Sequence, residues 1–102
     1  WNGIGIAAPT GSTVRAVAPG TVVSVGQLGT YGLTVIVQHG AGDYSVYASL
    51  NNASVRTGSA IRKGDTIGTV GTSDPDLRPH LHFEIRPQGR AVDPESWLRG
   101  AR

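Results

Sequence analysis

The chain has 102 residues, enough for one domain with its own core but not for two. It contains no cysteine, which excludes disulfides and thiolate metal sites. Its formal net charge of +2 comes from scattered basic residues with few aromatic neighbours, a composition that argues against nucleic-acid binding. No apolar run approaches the roughly 20 residues of a membrane span. The chain also lacks methionine, so we expect residues 1–102 to be a single domain from the C-terminal part of a longer protein.

Glycine and proline divide the sequence into short segments that are typical of strands. There are 15 glycines and six prolines, and turn-forming clusters recur about every 8–12 residues. In chain order, strands are predicted at residues 3–7, 14–17, 21–25, 33–38, 44–50, in two short segments flanked by Gly58 and Gly64, and at 67–71 and 80–86. Residues 27–32 form a glycine-rich loop, and residues 39–43 form a hairpin turn. This spacing predicts an all-β sandwich or barrel.

The single helix signal lies near the end of the chain. Asp93 is a suitable N-cap, Pro94 suits the first helical position, and Glu95 places an acid in the first turn before Trp97 and Leu98. We therefore expect an all-β antiparallel sandwich with a short C-terminal helix.

The most informative segment is the alternating run from His80 to Arg86. In a strand, residues two apart share a face. The apolar residues of the run should face a core, and the polar ones should line an accessible surface that suits a metal site or a polar binding groove. The apolar set is Leu81, Phe83 and Ile85, and the polar set is His80, His82, Glu84 and Arg86.

Several short motifs occur in a fixed order along nearly the whole chain. They are Gly3-Ile4-x-Ile6-Ala7-Ala8-Pro9-x-Gly11, Val14-x-Ala16-x-x-x-Gly20-x-Val22, Tyr31-Gly32, His39-Gly40, Gly64-x-x-Ile67-Gly68 and His80-Leu81-His82-Phe83-Glu84. Taken together, they resemble the lysostaphin-type (LytM) zinc metallopeptidases, which cut peptide cross-links in bacterial cell walls. The resemblance implies a lysostaphin-like antiparallel β-sandwich.

The resemblance also implies that the catalytic equipment is incomplete. In the active family, zinc is held by the His and Asp of an H-x-x-x-D motif and by the second His of H-x-H, while the first His of H-x-H and a His in Y-x-H-L move protons. Here the H-x-x-x-D positions hold Trp1 and Gly5, and the Y-x-H-L histidine is Ser49. Only His80 and His82 remain, as vestiges of a catalytic and a metal-binding residue. We therefore expect no metal cofactor and no peptidase activity.

Degenerate domains of this kind resemble the murein hydrolase activators of the EnvC and NlpD types, which switch on cell-wall amidases. Residues 2–6, 40–45 and 86–98 are more similar to the EnvC type. The resemblance implies binding and activation of an N-acetylmuramoyl-L-alanine amidase during division, in the Gram-negative periplasm, with a coiled coil upstream and the division machinery as further partners. Two alternatives stay open: a non-hydrolytic peptidoglycan-binding module and a residual zinc endopeptidase of the cell wall.

The expected binding surface is the former active-site groove. Its floor would be the polar face of residues 80–86 together with two residues of the neighbouring hairpin strand, placed there by alternation. Internal pairing of Arg86 with Glu84 or Asp93, and core packing of Tyr47, are the alternatives for those two residues. His39 is expected to cap a hairpin turn away from the site. The predicted partner-binding residues are Asn2, Tyr31, Tyr47, Ser49, His80, His82 and Arg86.

Overall fold

The computed structural model describes residues 4–40, 42–71 and 80–86 of the chain. The strands are β1 (Ile4–Ala7), β2 (Thr13–Arg15), β3 (Gly20–Gln27), β4 (Leu33–Gln38), β5 (Tyr44–Ala53), β6 (Ala60–Ile61), β7 (Thr66–Val70) and β8 (His80–Arg86), with a 3-10 turn at Gly29–Tyr31. Every pairing among these strands is antiparallel. The all-β antiparallel prediction is therefore confirmed, whereas the helix predicted at residues 93–98 lies outside the described residues.

The strands join through hydrogen bonds in the order β1-β8-β5-β4-β3-β6, and β2 and β7 branch from β5. The branching occurs because β5 is ten residues long and changes neighbour along its length. Its first half pairs with β8, from Tyr44 to Ala48, and its second half pairs with β7, from Leu50 to Ala53. The two layers of the expected sandwich are thus joined through one shared strand.

The apolar core lies between the layers. It is formed by inward-facing residues of both branches, including Val35 and Val37 on β4, Ile67 on β7, and Phe83 and Ile85 on β8, all at most 2% exposed. The alternation predicted for β8 places its apolar set correctly, since Leu81 also belongs to this cluster. Within the described residues, no helix has the length and apolar character that a membrane crossing requires.

Two backbones approach so closely in the core that only glycine fits between them. Gly68 on β7 pairs with Ala53 on β5, and a Cβ added at Gly68 would overlap the carbonyl oxygen of Asn52. A Cβ added at Gly20 would likewise overlap the carbonyl oxygen of Gln38. A Cβ at Gly26, by contrast, would meet no atom within 4 Å. A Cβ at Gly71 would also lie only 2.7 Å from Asn51 N, so glycine is required where the backbones approach closely and not at Gly26.

We predict that Gly68→Ala lowers the free energy of unfolding by about 2–3 kcal/mol, because the methyl group forces β5 and β7 apart in a packed core. Urea unfolding followed by circular dichroism measures this change. Gly26→Ala is the matched control and should change the free energy by less than about 1 kcal/mol. Equal effects of the two substitutions would contradict the predicted close approach.

Candidate functional site

Strand β8 lies between β1 and β5, and this position determines what its polar residues meet. On one side Gly5 pairs with His82 and Ala7 pairs with His80. On the other side Ala48 pairs with His82, and Val46 pairs with Glu84. Opposite the two histidines and Glu84 the neighbouring strands thus present small or aliphatic residues, whereas Tyr44 pairs with Arg86.

The centre of this polar face is buried, which corrects the expectation of an accessible surface. His82 is 2% exposed and Glu84 is 0% exposed, whereas His80 and Arg86 at the two ends are partly exposed. The cover comes from Tyr31, whose ring stacks on that of His82 with centroids 4.9 Å apart and planes at 22°. Alternation identifies which residues share a face, but it does not show what a loop from elsewhere places over that face.

The turn that carries Tyr31 has backbone angles that favour glycine. Gly29 and Gly32 flank the 3-10 turn with φ of 52° and 71°. These glycines let the chain reverse tightly after β3. Tyr31 is consequently held over the site by a short, glycine-bounded loop; its expected role in binding a partner stays a prediction.

Glu84 is the centre of a buried polar network. Its Oε2 lies 2.7 Å from His82 Nε2, and its Oε1 accepts from Arg86 Nε at 3.0 Å and pairs with Arg86 Nη2 at 2.8 Å. The hydroxyl of Tyr31 is near enough to this carboxylate to help lower the pKa of Glu84. Because an ionised carboxylate only accepts, His82 presents its Nε2–H to Glu84. The internal ion pair of Arg86 with Glu84, which was the alternative to a partner-binding role, is therefore present.

The protonation of Glu84 reflects two opposed effects. Burial raises the pKa of Glu84, but hydrogen bonds from His82, Arg86 and Tyr31 outweigh burial and lower that pKa below its ordinary value. The pKa of Tyr31 is raised, by burial first and then by the adjacent Glu84 carboxylate. The network therefore favours an ionised carboxylate beneath a neutral phenol.

Tyr47 does not lie on the groove, and the prediction that placed it there is wrong. It pairs with Phe83, so it shares the core face of the sheet; it is 1% exposed, and its ring centroid lies 5.4 Å from that of Phe83. Its hydroxyl accepts from Val17 N at 3.1 Å and bonds Ser45 Oγ at 3.0 Å. Burial raises the pKa of Tyr47. The prediction failed because a register that differs by one residue reverses every side chain.

Ser49 lies at an irregularity in β5. The pairing with β4 changes register between Leu33 and Val35, and Ser49 has a φ of 60° and is 3% exposed. Its carbonyl accepts from Gly71 N at 2.9 Å, and Gly71 bridges to His80. Ser49 is therefore connected to His80 through the backbone of Gly71, but alternation cannot assign the direction of a residue in a bulge.

Three residues from the sequence analysis remain to be located: His39, Trp1 and Asn2. His39 lies at the turn between β4 and β5, where Nδ1 contacts the Pro19 carbonyl oxygen and Nε2 contacts Ser45 Oγ, both at 2.7 Å. This agrees with the expectation of a turn histidine. Trp1 and Asn2 lie outside the described residues.

Among the described residues, the side chains around His80 and His82 do not supply the ligands of a hydrolytic zinc. Position 5 faces the histidines, since a Cβ at Gly5 would lie 3.6 Å from His80 Cδ2, yet glycine offers no donor there. Among residues 4–40, 42–71 and 80–86, no group of three or more His, Cys, Asp or Glu is arranged to hold a metal ion. A hydrolytic zinc uses three protein ligands and one open position. The bond from His82 to Glu84 retains the support that a metal-binding histidine usually receives.

Sequence reasoning missed the central role of Glu84. The spacing from His82 to Glu84 to Arg86 was visible, and residues two apart on a strand are neighbours on one face. That spacing was the available signal, because a carboxylate between an imidazole and a guanidinium is placed to bond both. The burial that makes these bonds strong depends on Tyr31, 53 residues earlier in the chain.

Comparisons with known proteins identify the family of the chain and find solved structures with the same fold. Peptidase family M23 matches residues 1–94. The chain is 47% identical over 98 residues to the murein hydrolase activator EnvC of Escherichia coli K12, covering 96% of this chain and 23% of that protein. It is 42% identical over 95 residues to the DD-carboxypeptidase/endopeptidase Mpg of Neisseria meningitidis serogroup B, covering 93% of this chain and 22% of that protein. The catalytic domain of lysostaphin from Staphylococcus simulans superimposes with a TM-score of 0.91 at 25% identity, covering 97% and 79% of the two chains. The chain thus spans less than a quarter of the length of the first two relatives.

We predict that Glu84→Gln lowers the free energy of unfolding at pH 7 by about 3 kcal/mol, because it breaks a buried charged network. The folded-state pKa of Glu84 is lowered, so its stabilisation is present above the ordinary carboxyl pKa of about 4.3 and is lost as the pH falls through the folded value. The difference between wild type and variant should therefore shrink as the pH falls from 7 to 3. Denaturant unfolding at several pH values measures it.

Asp65→Asn serves as the control, since Asp65 is exposed and its Oδ2 accepts from Arg62 N. This substitution should change the free energy of unfolding by about 1 kcal/mol or less. A difference between wild type and Glu84→Gln that stays constant over the whole pH range would contradict the proposed charge state of Glu84.

Proposed function

The chain belongs to peptidase family M23, and we propose that it is a non-hydrolytic member that binds and activates a cell-wall N-acetylmuramoyl-L-alanine amidase. The observation that supports the proposal is the pairing of Gly5 with His82. The resemblance makes position 5 a zinc-ligand position, and glycine has no side chain that could coordinate a metal. The proposal includes action in the Gram-negative periplasm during cell division, without a cofactor.

Two relatives of comparable identity point to different activities, so identity does not decide between them. EnvC is an activator by name and Mpg is a peptidase by name, at 47% and 42% identity. The residues of the site favour the activator. Trp1 and Gly5 cannot coordinate zinc, and Ser49 lacks the imidazole that proton transfer would use.

The proposed binding surface follows from the exposure of the site residues. Tyr31, His80 and Arg86 are partly exposed and would contact a partner directly. Asn2, which lies outside the described residues, stays a predicted partner-binding residue. His82 and Ser49 are buried and would act from below, by supporting Tyr31 and the β5 bulge. Tyrosine and arginine often dominate interface energetics, since each combines a large contact area with directed hydrogen bonds.

We predict that the isolated domain neither retains zinc nor cuts peptidoglycan. Elemental analysis after dialysis without chelator should give far less than one zinc per chain, and dye release from labelled cell walls should equal that of buffer. Ser49→His alone should leave both results unchanged, because the ligand positions at Trp1 and Gly5 stay empty of donors. Near-stoichiometric zinc, or dye release at enzyme-like protein ratios, would contradict the proposal.

We predict that Tyr31→Ala and Arg86→Gln each weaken amidase activation at least tenfold, or about 1.4 kcal/mol, because they remove exposed anchors of the surface. Dye release by a purified amidase from the source organism, titrated with the domain, measures this effect. Arg62→Gln is the control, since Arg62 is an exposed arginine in the turn between β6 and β7.

The thermal midpoint of each variant must be measured alongside, since Arg86 also pairs with buried Glu84. Full activation by both folded variants would show that this surface is not the binding site. A pull-down on isolated peptidoglycan distinguishes an amidase activator from a peptidoglycan-binding module. Binding to the cell wall with no effect on any amidase would favour the peptidoglycan-binding module.

A further inference from the structure

An apolar groove continues from Tyr31 and Arg86 across the outer face of β5, β4 and β3. Its volume is about 350 Å³. The residues that line it are Val23, Leu28, Tyr31, Ile36, Tyr44, Val46 and Arg86. None of the five residues beyond Tyr31 and Arg86 belongs to the surface that the sequence predicted.

Strand register explains why this outer face is apolar. Ile36 pairs with Val46, which pairs with Glu84, and Tyr44 pairs with Arg86. These residues therefore form two adjacent rows, Ile36–Val46–Glu84 and Tyr44–Arg86, on the face that holds the polar network of β8. The first row is half-buried at Ile36 and buried at Val46, so it forms the floor of the groove.

The walls of the groove are two exposed aliphatic residues. Val23 lies at a register shift in β3, between Val22 and Ser24, and is 39% exposed. Leu28 precedes the 3-10 turn and is 47% exposed. Among the described residues, the exposed large hydrophobics are these two and Ile6, so two of the three border the same groove. A concave cluster of exposed apolar side chains is typical of an interaction site.

We propose that this groove receives an acidic, apolar peptide segment of the amidase, with branched or aromatic side chains against Val23 and Leu28 and a carboxylate at Arg86. This inference rests on the proposed function and extends its surface beyond the former active site. Two features support that occupant. The groove is continuous with Tyr31 and Arg86, and Arg86 is the one charged residue in its lining.

The geometry of Arg86 leaves room for a second carboxylate. Its side chain is 36% exposed, and Nε and Nη2 are the nitrogens that face Glu84. A guanidinium carries five N–H donors in a planar fork, so it can bond an internal and an external carboxylate together. The external bond would fix the register of the apolar segment along the groove.

The test uses the double variant Val23→Ser with Leu28→Ser and a purified full-length N-acetylmuramoyl-L-alanine amidase from the source organism as the probe. Isothermal titration calorimetry should show binding at least tenfold weaker than that of the wild-type chain. Both residues are exposed, so the thermal midpoint should stay nearly unchanged. Ile6→Ser is the matched control, because Ile6 is 42% exposed and lines a different cavity, and it should bind like the wild type.

The outcomes separate this inference from the proposed function. Failure of the wild-type chain to bind the amidase would contradict both. Binding by the wild type that the double variant retains in full would overturn the groove inference alone. The remaining possible occupant is a second copy of this chain, which sedimentation equilibrium tests. A wild-type dimer that the double variant no longer forms, while it still binds the amidase, would assign the groove to that second copy and overturn the inference.

Discussion

The arrangement of the site depends on one buried carboxylate. Glu84 has no solvent contact and is bonded by His82 and Arg86 of its own strand, and the ring of Tyr31, from a distant loop, stacks on His82. Burying a charge is costly unless hydrogen bonds replace the lost water. His82 and Arg86 meet that requirement, and in doing so they fix the imidazole and the guanidinium relative to each other. Without the carboxylate, neither the stacking of Tyr31 on His82 nor the orientation of Arg86 beside the apolar groove would be defined.

Much of the fold could be predicted from local sequence, because the strands carry clear patterns. The bounds of β4 and β8 agree with the prediction residue for residue, since β4 is a run of branched residues between glycine-containing turns and β8 alternates strictly. Strand β5 extends three residues beyond the predicted end at Leu50, to Ala53. The extension exists because β7 lies beside it, and such a long-range pairing has no local signal.

The candidate site was only partly predictable, for reasons that are also long-range. The shared face of His80, His82, Glu84 and Arg86 follows from alternation alone, but the burial of its centre comes from Tyr31. Tyr47 was assigned to the wrong face because pairing register between β5 and β8 decides its side, and the sequence leaves that register open by one residue. The groove walls at Val23 and Leu28 depend on a register shift and a loop, which periodicity cannot show.

The contacts of His39 with Pro19 and Ser45 have a directional consequence. At one end of the series the Pro19 carbonyl can only accept, and at the other the Val17 amide can only donate to the Tyr47 hydroxyl. For a neutral imidazole, the hydrogen must then be on Nδ1, and Nε2 must accept from Ser45 Oγ, which also contacts the Tyr47 hydroxyl. The contacts form one unbroken series from Val17 to Pro19. The segment between Val17 and Pro19 is thereby held against the hairpin in one alignment. Directed hydrogen bonds fix that alignment more specifically than apolar packing alone would.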